Sequence, residues 1–177
     1  ITVELDNTDD YLDPRNGLRF GLTYQNHAAG DANDVDYYVL DFKALAYIPM
    51  RKNDTLVLNV HRSDAHVNNK GNTDPAAIRA ELPTNCAPAD AACLQAEQEL
   101  VDSFINERSY GSASSLGGDL RLRAYPGDRF QGAHSAFLGA EYRWNITEES
   151  TPFDYLIWKD VRTGIQAAFF AEAGTVA

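Results

Sequence analysis

The chain has 177 residues and a formal net charge of −11 at pH 7. That acidity excludes an ordinary nucleic-acid binder, which needs clustered Lys and Arg to neutralise phosphates. A mean hydropathy of −0.39, with no run near the roughly 20 apolar residues of a spanning helix, excludes a helical membrane protein. A membrane barrel stays open, because barrel strands carry their hydrophobicity in every second residue.

Ile1 opens directly on an alternating pattern, with Ile1, Val3 and Leu5 against Thr2, Glu4 and Asp6. This predicts a strand cut at its start, in an internal or processed piece of a longer protein. Asp9 to Asn16 reads as a compact turn. A second strand sets Leu18, Phe20, Leu22 and Tyr24 against Arg19, Gly21, Thr23 and Gln25. After an acidic loop from Asn26 to Asp36, a third sets Tyr38, Leu40, Phe42, Ala44, Ala46 and Ile48 against Val39, Asp41, Lys43, Leu45 and Tyr47. Asp41 and Lys43 are intolerable facing lipid and ordinary in a wet lumen. Pro49 to Asn53 turns the chain into a fourth strand, where Leu56, Leu58 and Val60 oppose Thr55, Val57, Asn59 and His61.

A very long connection follows, spanning about residues 63–134. Within it Asp90 to Ile105 reads as a helix, with Asp90 as N-cap and a loose apolar stripe of Cys93, Leu94, Leu100, Val101, Phe104 and Ile105. Cys86 and Cys93 are either unpaired thiols or, in a surface loop of an exported protein, a short-range disulfide. From Leu116 a Gly-rich turn leads into a short alternating strand and then the Arg123-Ala124-Tyr125-Pro126-Gly127 turn, with Arg121 and Arg129 beside it. Two further strands run through Ala136–Trp144 and Ile165–Glu172, placing Glu141 and Glu172 on polar faces. Several strands alternate over about nine to twelve residues, the length a tilted spanning strand requires. Tyr24, Tyr38, Tyr47, Tyr142 and Trp144 lie near strand ends, as in an interfacial girdle. A soluble antiparallel sheet also alternates its faces, and that alternative stays open.

Enzymatic signatures are missing. There is no Gly-x-Ser-x-Gly elbow, phosphate loop or His-Glu-x-x-His pattern. His27, His61, His66 and His134 are scattered, and Asp31, Asn33, Asp34 and Asp36 lack the glycine and glutamate of a calcium loop. The reading is therefore of a non-enzyme with no metal and no cofactor. What remains is electrostatic: arginines tucked into a barrel need carboxylate partners, whereas arginines on a surface loop need only water. Spacing alone leaves both open.

Leu116 to Phe130 resembles the lumen-folding loop of the BamA-type superfamily of outer-membrane barrels, the bacterial surface antigens. Asp6–Asp9 through Pro14–Gly17 resembles the family's Asp-rich turn, Tyr37–Pro49 its next strand, and Phe169–Val176 its Phe-Phe-x-Asp-x-Gly-Thr-Val strand. Two positions depart from the pattern: Ala124 stands for a glycine and Glu172 for an aspartate. The resemblance implies that Arg123 binds Glu141 and Glu172 on the following strands. It also implies that the chain is part of one barrel domain, an antiparallel transmembrane β-barrel fragment of about six strands with a long extracellular loop containing a short helix. Implied with it are an outer-membrane location, contact with lipid and lipopolysaccharide, client or passenger proteins, and other envelope proteins in a complex.

The expected function is insertion or export of proteins across the outer membrane. Two alternatives remain: the barrel anchor of a dedicated secretion system, and a passive pore or structural barrel.

Overall fold

The computed structural model describes residues 1–31, 33–51, 53–83, 86–146, 153–161 and 164–177. Six long strands, β1 (Thr2–Thr8), β2 (Gly17–His27), β3 (Asp36–Pro49), β4 (Thr55–Asn69), β5 (His134–Asn145) and β8 (Gln166–Val176), form one sheet in the order β1-β2-β3-β4-β5-β8. All five pairings are antiparallel. The sheet is open, with β1 and β8 at its edges. A separate hairpin of β6 (Phe153–Tyr155) and β7 (Trp158–Val161) lies between β5 and β8 in sequence. Residues 147–152, which lead into it, lie outside the described residues.

Register keeps every apolar set on one face. Leu18, Phe20 and Leu22 pair with Ala46, Ala44 and Phe42. Ala46 and Ala44 pair with Leu58 and Val60, which in turn pair with Ala140 and Leu138. A one-residue slip would exchange the faces completely. This face is bare: Val3, Leu5, Leu22, Phe42, Leu138 and Phe169 are all exposed. The opposite face is covered by the β4–β5 connection, and the buried residues collect there. Tyr37, Val39, Ala65 and Ala113 form one cluster, and Leu116, Leu122 and Phe137 form another.

The connection starts later than residue 63, because β4 continues to Asn69. Beyond Val60 the bare-face positions turn polar (Arg62, Asp64, His66), so hydrophobic alternation stops while the hydrogen-bonded ladder goes on. Two helices follow. The first, α1 (Pro75–Glu81), is capped by Asp74 with Pro75 at its first turn and was not signalled by any apolar period. The second, α2 (Ala91–Tyr110), starts where expected, Asp90 Oδ1 accepting from the Cys93 N–H at 3.1 Å, and outruns the expected end at Ile105. Ile78 and Val101 are buried where the helices pack, while Leu94 and Leu100 of the stripe remain exposed. Arg108 ties the two together by donating to Glu81 Oε2 at 2.6 Å. Cys86 and Cys93 are joined by a disulfide across the start of α2.

The short alternating strand expected between the Gly-rich turn and Arg123 does not form. Gly117 and Gly118 take φ of +116° and +93° in the turn that precedes it, and Leu122, at +54°, breaks the extended ladder. Leu116 and Leu122 are buried but Leu120 is not, so their apolar alternation marks no single face.

Candidate functional site

Residues 116–130 form a closed loop on the covered face. Leu116 and Phe130 exchange both backbone hydrogen bonds, at 2.9 and 3.0 Å, which pinches its base. Inside, Gly117 N–H donates to Arg121 O and Gly118 N–H to Tyr125 O. A Cβ on Gly117 would lie 2.2 Å from Pro126 O, so only glycine fits. The sheet makes room in turn: a Cβ on Gly174 of β8 would lie 2.7 Å from Leu116 Cδ1. Leu116 and Leu122 then fill the space beside Phe137.

Seating these apolar residues delivers Arg123 to two carboxylates. Arg123 Nε donates to Glu172 Oε1 at 2.6 Å and its backbone N–H donates to Oε2 of the same carboxylate at 2.8 Å. Its Nη1 donates to Glu141 Oε2 at 2.6 Å. The guanidinium carbon sits 3.9 Å from the Phe170 ring centroid, a cation–π contact. Arg143 Nε donates to the other oxygen of Glu141 at 2.8 Å. Two arginines and two glutamates therefore close into a neutral cluster, in which charge-assisted bonds are short and directional. The Glu172 side chain is 8% exposed and that of Arg123 32%, so water reaches one side of the clamp. Burial opposes the charge on Arg123, but hydrogen bonds to Glu141 and Glu172 outweigh it and hold its pKa above the ordinary value.

Leu122 sets the approach. A leucine at positive φ is strained by about 1–2 kcal/mol, and the residue that follows is Arg123, gripped by backbone and side chain together. Ala124 is not among the described residues with positive φ, so this turn places no demand for glycine there. The Tyr125 ring meets Phe130 edge-on at 5.0 Å.

The other basic residues go elsewhere. Arg129 is exposed and has no hydrogen-bond or ion-pair partner among the described residues. Arg121 lies on a different side of the loop, lining a cavity with Lys43 and His61. Arg143 and Phe170 went unassigned in the sequence, although each shares the inward parity of its neighbouring glutamate. A buried polar seam under the loop's start was also unassigned. Ser114 N–H donates to Ser63 Oγ (2.9 Å), Ser114 Oγ donates to Asp41 Oδ1 (2.7 Å), and Ser135 Oγ donates to Ser114 O (2.6 Å). Serines and an aspartate scattered over four segments leave no local motif, and only the assembled sheet brings them together.

The bare face has its own ends. Tyr24, Tyr38 and His66 stack in a row with centroids 5.5 and 5.1 Å apart at the end nearer the helices. Tyr142 and Trp144 lie at the other end, where Tyr142 Oη donates to Asp54 Oδ2 at 2.6 Å. No described helix is long and apolar enough to cross a membrane, which says nothing of strands. No protein-family model matches the chain, and neither a curated protein nor a solved structure matches it significantly.

Proposed function

We propose that this chain is part of an outer-membrane β-barrel of the protein assembly and translocation type, acting through barrel opening and lateral contact rather than bond chemistry. One observation carries the reading: a single sheet has a bare apolar face on one side and, on the other, a polar face filled by a loop clamped through Arg123. Soluble monomers rarely expose contiguous apolar patches beyond a few hundred Å², and this one crosses all six strands. From Tyr38 to Ile48, ten steps of about 3.4 Å at a tilt near 40° span roughly 26 Å along the membrane normal, close to the apolar band of such barrels. Aromatic side chains at both ends fit the two interfaces.

Within this reading β1 and β8 must pair with further strands, because an open edge in hydrocarbon leaves backbone groups unsatisfied. The seated loop then blocks the lumen, and the Arg123 clamp sets how firmly. Depleting the full-length protein in its host tests the proposal. Levels of other outer-membrane barrels, or of an exported passenger, should fall; an unchanged envelope proteome would overturn it.

A further inference from the structure

We infer that the cavity between β1–β4 and the start of the loop is a binding site for a small oxyanion, a phosphate or a carboxylate, held between Arg121 and Lys43. The cavity holds about 310 Å³, ample for either group. Three cationic side chains line it, Arg19, Lys43 and Arg121. Arg19 is already engaged, its Nη2 2.7 Å from Asp6 Oδ2. The Arg121 and Lys43 side chains have no hydrogen-bond or ion-pair partner among the described residues.

The acids nearby are committed elsewhere. Asp41 Oδ1 accepts from Ser114 Oγ, and its Oδ2 lies 3.5 Å from Gln25 Nε2. Glu4 leans toward Arg19 at 3.9 Å. Arg121 is half-buried: burial lowers its pKa, with Asp41 and Asp128 opposing at longer range. A guanidinium stays charged regardless, and its side-chain donors meet no acceptor among the described residues, which leaves them free to meet a ligand.

A second, independent observation points the same way. His61 lines the cavity, is only 5% exposed, and its Nδ1 is buried with no hydrogen-bond partner. A bound oxyanion supplies acceptors to the Arg121 fork and the Lys43 ammonium, and to an Nδ1–H of His61 when the ring carries a proton there. Because Arg121 sits two residues before Arg123, occupancy of the cavity favours the seated loop by linkage.

The test is calorimetric titration of the folded full-length protein with inorganic phosphate and, separately, with succinate, at ionic strength fixed by chloride. Saturable binding of phosphate or of succinate identifies the type of oxyanion. Arg121→Gln and Lys43→Gln should each weaken it about tenfold or more, while Arg129→Gln leaves it unchanged. Strand content by circular dichroism checks that each variant folds, and the Lys43→Gln arm stands if Arg121→Gln does not. No saturable binding of either anion at tens of millimolar, or equal binding by all variants, would overturn the inference.

Discussion

Arg123 and Arg129 stand on one loop with the same charge, but only Arg123 meets carboxylates. Arg123→Ala would leave Glu172 buried without its charged partner, with only the backbone N–H of residue 123 still donating to it. Breaking a buried pair costs about 3–5 kcal/mol, and the water on one side of this clamp reduces that to roughly 2–3 kcal/mol. We expect Arg123→Ala to lower the thermal midpoint and Arg129→Ala to leave it within error; equal tolerance would mean that the clamp contributes nothing. Glu172→Gln keeps an acceptor for the Arg123 backbone N–H but loses the charge, and a milder loss is expected. A pH effect belongs to the β1–β2 turn. Asp9 Oδ1 accepts from the Asn16 and Arg15 N–H groups at 3.0 and 2.9 Å, and those bonds hold its pKa below the ordinary 3.8. A depressed carboxylate stabilises the fold above its ordinary pKa, and that contribution is lost as pH falls through the folded value. The Arg15 and Asn16 amide resonances should therefore shift together below pH 3.8, and Asp9→Asn should remove the shift. Unchanged titration in Asp9→Asn would reject the assignment.

The disulfide belongs to one element and should act locally. It closes a short loop across the first turn of α2, and such a link stabilises by about 2 kcal/mol in the chain-entropy account. Cys86→Ser with Cys93→Ser should speed proteolysis between Leu82 and Leu94 without changing the sheet's thermal midpoint; a midpoint falling in step would mean that the helices help to hold the sheet. How far each element was legible follows from what marks it. The six strands of the sheet are written in the sequence as period-2 alternation, because each separates an apolar face from a polar one. The start of α2 is marked by Asp90. The outer end of β4 is polar on its bare-face side, so no period marks it, and α1 offers only Asp74-Pro75 and one buried isoleucine. The Arg123 partners rested on a resemblance and on parity, and the structure brings Arg123, Glu141 and Glu172 together. Arg143 and Phe170 share that parity but carry no motif. The loop's shape depends on positive φ at Gly117, Gly118 and Leu122, which an alternating Leu pattern hides.

At the scale of the whole molecule, one sheet divides two environments. Its helices, the Tyr24–Tyr38–His66 row and the Arg62–Asp64–His134 cluster stand at one end; Arg62 donates to Asp64, and His134 Nδ1 lies 2.8 Å from the same carboxylate. In the outer-membrane reading this end faces outward. A thiol-reactive probe too large to cross the membrane should label Ala96→Cys on intact cells, and labelling only after permeabilisation would reverse the orientation. The central claim is that the bare face meets lipid while the covered face meets loop and water. It is tested most directly by nitroxide labels on the full-length protein in its native envelope, placed at Leu22, Leu138 and Phe169 on the bare face and at Thr23 on the other. The account predicts high collision with oxygen and low collision with a water-soluble nickel chelate at the first three, and the reverse at Thr23. Ready access of the nickel chelate to Leu22, Leu138 and Phe169 would contradict it.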